Sequence, residues 1–258
     1  MTTLLLSPFH DSESRQLPIV RRLIDPNDPL SATWHRALAN YAGALAVPSP
    51  ATDPRSIEAL RAAGWDIASG VDGVDRGLWR MVDLALERPV DRVHFCDLDR
   101  LLHWLIRFPN ELHDLPSFWA DNDLTVLARS ERAFQSHPGC QVLTEGIANY
   151  VIARRTGIAE IDAFSGSYVW SRRAAKAVLA APGPRDLRFY AEAVMAPYRS
   201  GCSVGCRIVE GLEWETPDQY PDKIAALGFA AWLADFESPA QWRHRAELAR
   251  VFVEAALS

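Results

Sequence analysis

Arg92-Val-His-Phe-Cys-Asp97-Leu-Asp99-Arg-Leu-Leu-His-Trp104 is the stretch that decides the fold of this 258-residue chain. Val93 to Cys96 is a short run of apolar and strand-forming residues, which predicts a buried strand. A helix is expected over residues 100–106, because leucines recur there at helical spacing. Asp97 and Asp99 therefore fall where a strand ends and a helix begins.

The two carboxylates after this strand have two interpretations. In an open α/β sheet, ligands bind outside the carboxyl ends of the strands, and the oxygens of Asp97 and Asp99 could hold one Mg²⁺ or Mn²⁺ there. Two carboxylates alone bind such an ion weakly because it gives up water reluctantly, so a diphosphate would have to complete the site. The other interpretation is a helix cap, in which an aspartate accepts a hydrogen bond from a backbone N–H of the helix.

Composition and charge exclude several classes of function. The hydrophobic share of 48% and the charged share of 23% are those of an ordinary globular protein. The net charge of −6 and the pI of about 5.7 give no broad attraction to nucleic acid or to an anionic membrane. No signal peptide or membrane-spanning run is recognisable, so a cytoplasmic location is expected. The four cysteines should then be reduced thiols, and no second pair accompanies Cys202 and Cys206 to form a zinc site.

Strands and helices alternate through the first hundred residues. Strands are predicted at 3–7, 44–47, 65–68 and 93–96. The signals between them predict helices; one of these is Asp53-Pro54, a capping residue followed by a proline at the first helical position. Such alternation implies parallel strands with right-handed crossovers. We therefore expect an α/β fold with a mostly parallel central sheet flanked by helices.

The second half of the chain is less regular. Strands are predicted at 124–128, 164–170 and 204–209. Thr144 is expected to cap a helix that Gly157 ends. Ser238 and Gln241 form a capping-box arrangement for a last helix. That helix is expected to pack on the body of the protein or on a partner, such as the second copy in a homodimer.

This order of features resembles the GT-A fold of nucleotide-sugar-dependent glycosyltransferases. In that family a parallel sheet binds the nucleotide, and an Asp-x-Asp after the fourth strand binds Mn²⁺ or Mg²⁺ on the diphosphate. Asp97-Leu98-Asp99 follows the fourth predicted strand here. The resemblance covers residues 3 to about 215 as topology and matches no particular subfamily. It implies a nucleotide-sugar donor, an acceptor of unknown identity, Mn²⁺ or Mg²⁺ as cofactor, and no nucleic acid.

The resemblance also implies a single domain and a set of donor-side residues. The domain would have a nucleotide-binding half at 1–107, an acceptor-side half at 108–237 and the C-terminal helix at 238–258. The donor-side residues are Ser7, Pro8 and Phe9 at the exit of the first strand, Asp97 and Leu98 on the nucleotide, Asp97 and Asp99 on the metal, and Arg76 near the diphosphate. Arg76 opens the helix that follows the turn at residues 70–73.

On the acceptor side, the resemblance suggests Gly166 and Glu192. Gly166 lies in a glycine-containing segment beside the sugar, and Glu192 lies in a helix that often supplies a carboxylate to take the acceptor proton. Glu145 is a second candidate base. It lies four residues before Asn149 on one helix face, where both could contact sugar hydroxyls, although Glu145 could also only favour the positive end of its helix.

Two further residues are expected to contact the acceptor. His137 lies in a polar stretch, where a plain loop histidine is the alternative interpretation. Trp214 lies in an acidic loop at 213–218, which could supply a third metal ligand and an aromatic platform for a sugar ring. The alternative for that loop is a solvated surface segment.

Three other functions share parts of this pattern. Sugar-phosphate nucleotidyltransferases have the same sheet, but they resemble each other in a Gly-rich basic loop after the first strand, where this chain has Ser7-Pro-Phe-His-Asp-Ser-Glu13. Haloacid-dehalogenase-type phosphatases carry Asp-x-Asp after the first strand, followed by small residues, whereas Arg100 and Leu101 follow it here. A non-catalytic nucleotide-sugar-binding protein of the same fold remains an alternative.

Overall fold

The computed structural model describes residues 1–68, 74–117 and 122–258, except for the side chains of residues 74–76. Its centre is a seven-stranded sheet in the order β3-β2-β1-β4-β6-β5-β7. The strands are β1 (Thr3–Phe9), β2 (Gly43–Pro48), β3 (Asp66–Ile67), β4 (Arg92–Cys96), β5 (Leu124–Arg129), β6 (Ser167–Ser171) and β7 (Val204–Val209). Within the described residues, β6 alone runs antiparallel to its neighbours β4 and β5. The sheet is therefore mostly parallel, as predicted.

Thirteen α-helices flank this sheet within the described residues. They are α1 (Leu17–Ile24), α2 (Pro29–Leu38), α3 (Pro54–Ala62), α4 (Val74–Leu86), α5 (Leu98–Arg107), α6 (Pro109–Asp114), α7 (Glu131–Gln135), α8 (Gly139–Thr156), α9 (Arg172–Leu179), α10 (Phe189–Arg199), α11 (Pro221–Leu227), α12 (Phe229–Phe236) and α13 (Pro239–Leu257). None of the helices in the described parts of the chain combines the length and the apolar character needed to cross a membrane.

Side chains alternate between the two faces of β1 and so build two hydrophobic cores. Leu4 and Leu6 belong to the core that includes residues of α4, α8, α9, α10 and α13. Leu5 belongs to the other core, which includes residues of α1, α2, α3, α5 and α6. Burial on both faces explains why the strand reads as an unbroken apolar run in the sequence.

The register of the central strands brings three chain segments to one edge of the sheet. Leu6 pairs with Phe95 of β4, and Ser7 and Phe9 pair with Ala46 and Pro48 of β2. All three strands run in the same direction, so the ends of β1 and β2 lie beside the end of β4, where Asp97 follows. This edge is the place where open α/β sheets bind ligands.

Several local expectations are confirmed, and others are corrected. Asp53 caps α3 by accepting a hydrogen bond from the N–H of Arg55, and Gly157 ends α8 with a φ of 76°. Thr144 does not cap α8, because that helix already begins at Gly139 after Pro138; the Thr144 hydroxyl instead donates to the carbonyl of Cys140 at 2.6 Å. Strand β6 begins at 167 rather than 164.

The C-terminal helix α13 packs on the body of the protein. Phe252 stacks on Phe164 with ring centroids 3.9 Å apart, and Arg199 of α10 donates to the carbonyl of Ala255 at 3.1 Å. Ser238 is the N-cap of α13 but makes no side-chain capping hydrogen bond, so the expected capping box is absent. Helices α11 and α12 precede α13 and were not predicted from the sequence.

Candidate active site

A cleft of about 250 Å³ opens at the carboxyl ends of β1, β2 and β4. One wall consists of Pro8, Phe9, His10, Gln16, Val47, Pro48 and Ser49. The other consists of Gly77, Leu78, Met81, Asp97, Leu98, Asp99, Arg100, Tyr190 and Glu215. The cleft thus contains the predicted donor-side residues Pro8, Phe9, Leu98 and both aspartates. Ser7 precedes Pro8 in β1 but does not line the cleft; it is fully buried, and its hydroxyl oxygen has no hydrogen-bond partner within the described residues.

The geometry of Asp97 argues against the capping interpretation. Asp97 occupies the N-cap position of α5, yet its side chain accepts no hydrogen bond from the helix. Its Oδ1 instead accepts a hydrogen bond from the Tyr190 hydroxyl at 3.2 Å, and its Oδ2 lies 3.7 Å from Nε of Arg100. Asp99 lies in the first turn of α5; its Oδ1 accepts the N–H of Arg100 at 2.9 Å, which is the kind of bond that the capping interpretation expects, and its Oδ2 accepts from Nε2 of Gln219 at 3.1 Å. Both carboxylates thus line the cleft.

Carboxylates are more numerous than cations at this end of the cleft. Burial, together with the charges of Asp99 and Glu215, raises the pKa of Asp97 to about 7, although Arg100 opposes this. Burial and the charge of Glu215 raise the pKa of Asp99 to about 6. The Oε2 atom of Glu215 is buried without a hydrogen-bond partner in the described parts of the chain. Among the described residues that line the cleft, three carboxylates thus accompany one arginine, Arg100, and the site favours a further cation.

The residues present fit a divalent cation only with help from a ligand. Within the described residues, no group of three or more His, Cys, Asp or Glu side chains is arranged to hold a metal ion. Hard cations such as Mg²⁺ and Mn²⁺ take oxygen ligands, and at phosphate sites one or two carboxylates commonly suffice alongside the phosphate oxygens. Asp97 and Asp99 provide oxygens of that kind in surroundings with excess negative charge.

Gly166 allows the backbone to approach Asp97 closely. Its φ is +64°, and a Cβ atom at this position would lie 2.5 Å from Oδ2 of Asp97 and 3.0 Å from Nη1 of Arg100. The carbonyl of Gly166 accepts the N–H of Asp97 at 3.2 Å. Nη1 of Arg100 donates to the carbonyls of Phe164, at 2.9 Å, and Ser165. The glycine predicted from the resemblance thus lies directly against Asp97 and Arg100.

The opposite wall contains polar residues that the sequence analysis missed. Nδ1 of His10 lies 2.7 Å from the Ser49 hydroxyl, which lies 3.0 Å from the Thr52 hydroxyl. Gln16 is buried, and its Oε1 has no partner among the described residues. His10 and Ser49 directly follow β1 and β2. Polar residues after the ends of parallel strands were the available signal.

A buried histidine attaches the acidic loop at 213–218 to α5. Nδ1 of His103 lies 2.6 Å from Oδ2 of Asp218, and its Nε2 lies 3.1 Å from Oε1 of Glu213. Burial would lower the pKa of His103, but the hydrogen bonds and charges of these two carboxylates raise it overall. This attachment brings Glu215, between the two carboxylates, to the cleft.

Trp214 does not present an open platform. It is 6% exposed and stacks on Trp232 of α12 with ring centroids 5.2 Å apart. The ring of Phe236 packs edge-on against it, also at 5.2 Å. These contacts bury the ring, because α12, which the sequence analysis did not predict, covers the loop.

Glu145 and Asn149 face one buried ionic cluster, in keeping with their shared helix face. Arg129 donates to Asp162 from Nε at 2.6 Å and from Nη2 at 2.9 Å, and Nη2 also donates to Oε2 of Glu145 at 2.7 Å. Asn149 donates to Asp162 at 2.9 Å and accepts the N–H of Ala163 at 2.9 Å. Burial opposes ionisation of Asp162, yet Arg129 lowers its pKa to about 2. The cluster is therefore charged.

Of the remaining predicted residues, Glu192 and His137 are buried and do not line the cleft, and the side chain of Arg76 is not among those described. Glu192 is 3% exposed and pairs with Arg199, and it does not line the cleft. His137 is buried, and its Nδ1 lies 3.0 Å from the carbonyl of Ala133. The side chain of Arg76 and the turn at 70–73 lie outside the described residues.

Comparison with known proteins identifies the fold. No family model and no curated protein matches the chain. A solved CMP:2-keto-3-deoxy-manno-octonic acid synthetase, complexed with CTP, is similar over 88% of this chain and 98% of its own, with 16% identity and a TM-score of 0.51. Glucosyl-3-phosphoglycerate synthase from Mycobacterium tuberculosis, in complex with Mn²⁺, UDP and phosphoglyceric acid, covers 92% of this chain and 79% of its own with 15% identity and a TM-score of 0.48.

A third structure, a putative glucose-1-phosphate thymidylyltransferase from Bacillus anthracis, covers 94% of this chain and 99% of its own with 10% identity and a TM-score of 0.45. At such identities a structural likeness shows the fold alone, and the synthetase is the one of the three whose TM-score exceeds 0.5. Together with the observed sheet, this likeness confirms the expected GT-A-like α/β fold, whose sheet nucleotidyltransferases share.

Proposed function

We propose that this chain is a metal-dependent glycosyltransferase that moves a sugar from a nucleoside-diphosphate donor to an acceptor hydroxyl. The observation that carries the proposal is the pair Asp97 and Asp99. Both line a cleft at the carboxyl end of β4, opposite the ends of β1 and β2. With Glu215 they bring more negative charge than Arg100 offsets. A diphosphate with its cation matches such a site in both shape and charge.

In this proposal Asp97 and Asp99 hold Mn²⁺ or Mg²⁺, together with the diphosphate oxygens. When bound, the cation would neutralise the charge that develops on the departing diphosphate. The fixed geometry around the pair supports this role, because Tyr190, Gln219 and the backbone at Gly166 hold the two carboxylates in place.

The base and ribose of the donor would lie against the opposite wall. Pro8 and Phe9 offer apolar surface there, and the side-chain oxygen of Gln16, which has no partner among the described residues, offers a hydrogen bond; Ser7, directly before Pro8, remains a proposed contact. Leu98 would line the floor between base and diphosphate. Arg76 remains a proposed diphosphate contact because it opens α4, whose next residues line the cleft.

Of the two carboxylates proposed to take the acceptor proton, Glu145 has the stronger support. Its charge acts on Arg100, which lies beside Asp97. Glu192 pairs with Arg199, whose guanidinium also donates to the backbone of α13. Glu145 is therefore linked to the cleft through Arg100, although among the described residues neither carboxylate lines the cleft and each pairs with an arginine that belongs to α13 or contacts it.

A sugar-phosphate nucleotidyltransferase is the second candidate, since a synthetase that was solved with the nucleoside triphosphate CTP shares the fold. Such an enzyme must grip the triphosphate of its nucleotide next to β1. Residues 10–16 contain no glycine, and their one arginine, Arg15, is paired with Glu13 and with the hydroxyl of Tyr220. This segment favours a diphosphate donor over a triphosphate substrate.

A thermal-shift panel tests the proposal without knowledge of the acceptor. UDP-, GDP-, ADP- and dTDP-sugars are each added with and without Mn²⁺. A ligand at a hundredfold excess over its Kd stabilises a protein by about 2.7 kcal/mol, which is a rise of several degrees for a chain of this size. We expect one base family to shift the melting temperature much further with Mn²⁺ than without.

The variant Asp99→Asn should lose the Mn²⁺-dependent part of that shift, and Glu58→Gln, an exposed carboxylate on α3, should keep it. If nucleoside triphosphates shift the protein and nucleotide-sugars do not, the nucleotidyltransferase replaces the glycosyltransferase. If no nucleotide shifts it under any metal condition, both proposals fail.

A further inference from the structure

Buried polar atoms without hydrogen-bond partners concentrate in one region. Among residues 1–68, 74–117 and 122–258, ten buried side-chain N and O atoms lack a partner. Half of them belong to residues that contacts, charge interactions or adjacency in sequence link to one another: Arg129 Nη1, His137 Nε2, Trp214 Nε1, Glu215 Oε2 and Arg245 Nε. Folded proteins leave few such atoms unsatisfied because each one is costly. A local concentration therefore indicates a binding partner that the chain itself does not supply.

Two of these residues, Arg129 and Arg245, flank a single carboxylate. Nη2 of Arg129 lies 2.7 Å from Oε2 of Glu145, and Nη1 of Arg245 lies 3.8 Å from Oε1 of the same group. The Arg245 guanidinium also donates to the side-chain oxygen of Gln141, at 3.1 and 2.8 Å, when that amide takes its hydrogen-bonding orientation. Both arginines are thus fixed in place, and each keeps one buried nitrogen unused.

His137 adds an acceptor beside these donors. The Ala133 carbonyl can only accept, so Nδ1 of His137 carries the hydrogen and donates to it at 3.0 Å. Burial and the charges of Arg129 and Arg100 lower the pKa of His137, which keeps the ring neutral. Nε2 therefore bears an unused lone pair and can accept a hydrogen bond from a hydroxyl group.

This neighbourhood adjoins the cleft through Arg100. The guanidinium of Arg100 lies beside Asp97, and the charges of both Glu145 and Glu215 act on it. Burial lowers the pKa of Arg245, and the charges of Glu145, Arg100 and Glu215 also act on it. The residues that carry the unused donors are thus linked to the cleft through Arg100 and through Glu145, the residue proposed to take the acceptor proton.

We propose that Arg129, Arg245 and His137 form a subsite for an acceptor that carries both an anionic group and a hydroxyl. The two arginine nitrogens bind a carboxylate or a phosphate, and the histidine nitrogen accepts the hydroxyl of the same molecule. Guanidinium groups suit carboxylates and phosphates better than ammonium groups do. The acceptor class is therefore a hydroxy acid or a polyol phosphate. The role of this ligand as the acceptor rests on the proposed function, whereas its chemical class rests on the unused polar atoms.

Matched small molecules test each contact separately. Acetate and glycolate differ by one hydroxyl, ethylene glycol and glycolate differ by the charge, and glycerol 3-phosphate and inorganic phosphate represent the phosphate class. Binding is followed by NMR chemical-shift titration of the whole chain, with and without a saturating nucleoside diphosphate and Mn²⁺. We expect glycolate and glycerol 3-phosphate to bind in both conditions and ethylene glycol not to bind. Glycolate should bind roughly 3- to 10-fold more tightly than acetate, as one neutral hydrogen bond provides.

Two variants and one control assign the contacts. Arg245 is partly exposed on α13, so the Arg245→Gln variant should keep the fold. This substitution should weaken the binding of glycolate and of glycerol 3-phosphate roughly 10- to 100-fold. Arg243→Gln, exposed on the same helix, is the matched control and should change nothing. His137→Phe should abolish the difference between glycolate and acetate while keeping the binding of both.

Unchanged affinity in Arg245→Gln would overturn the subsite. So would displacement of glycolate by the nucleoside diphosphate, because the groups would then belong to the donor. Inorganic phosphate binding as tightly as glycerol 3-phosphate would reduce the site to an ion site and overturn acceptor recognition. If no nucleotide binds but the Arg245-dependent binding of glycolate persists, the proposed function fails while the anion subsite stands.

Discussion

Replacing Asp97 by asparagine should stabilise the ligand-free protein at neutral and alkaline pH. Burial raises the pKa of this carboxyl from 3.8 to about 7, a rise of about three units. At about 1.4 kcal/mol per unit, the ionised group costs the folded state at most about 4 kcal/mol. The side chain is 19% exposed, and an asparagine amide must still be buried, so we expect a gain of roughly 2–3 kcal/mol.

The sign of this effect with pH follows from the direction of the pKa shift. Because the folded pKa lies above the unfolded one, the folded state binds more protons between about pH 4 and pH 7. The wild-type protein should therefore lose stability as the pH rises through this range, and Asp97→Asn should lose less. The gain should be small near pH 4.5 and complete above pH 8.

Urea unfolding at pH 4.5 and pH 8, followed by circular dichroism, measures the free energy of unfolding of both proteins. Glu58→Gln, an exposed carboxylate on α3, is the control and should behave as wild type at both pH values. A destabilised Asp97→Asn at pH 8 would refute the reasoning. It would mean that Asp97 is a structural partner of Tyr190 and Arg100 and not a poorly compensated ligand group.

Two further predictions follow from contacts of the described residues, and a third, on Arg76, follows from the sequence. Gly166→Ala should lower the free energy of unfolding by roughly 1–2 kcal/mol because of the positive φ, and it should abolish Mn²⁺-dependent nucleotide binding by displacing Asp97. Gly146→Ala, in which the added Cβ would meet nothing within 4 Å, is the control. Unchanged nucleotide binding in Gly166→Ala would contradict the close approach of Gly166 to Asp97. His103→Gln should lower the free energy of unfolding more at pH 6 than at pH 9, as urea unfolding would measure. The raised pKa of His103 stabilises the fold below pH 6.5, and this contribution is lost as the pH rises through the folded pKa. Equal losses at the two pH values would show that the charge of His103 is unimportant. Arg76→Ala should weaken a nucleoside diphosphate more than the nucleoside, by roughly 1.5–3 kcal/mol in calorimetry, and equal losses for both would show a structural role.

The sequence predicted the sheet and one end of the site because both depend on local patterns. The apolar run of β4 and the alternation of strand and helix signals are enough to place Asp97 and Asp99 at a carboxyl end. Asp53-Pro54 likewise identifies a helix start without any tertiary information. Thr144 does not cap α8, because the helix already begins at Gly139, after Pro138. Where several residues in one polar stretch could begin a helix, the sequence alone does not identify the first helical residue.

The rest of the site depends on contacts between distant parts of the chain. Glu215 reaches the cleft because His103 holds its loop, and Trp214 is buried because α12 covers it. Arg245 comes from the last helix and meets Glu145 across about a hundred residues of sequence. No local pattern predicts such meetings, since they follow from how α8, α12 and α13 pack.

In the proposed function, Asp97 and Asp99 bind a divalent cation together with a nucleoside diphosphate. Calorimetric titration of the nucleoside diphosphate selected by the thermal-shift panel tests it, with and without Mn²⁺, on wild type, Asp99→Asn and the control Glu58→Gln. We expect Mn²⁺ to tighten binding at least roughly tenfold in wild type and in the control, equivalent to about 1.4 kcal/mol. We expect no effect of Mn²⁺ in Asp99→Asn, because half of the carboxylate ligand set is then lost. Equal Mn²⁺-dependent affinity in Asp99→Asn and wild type would contradict the account.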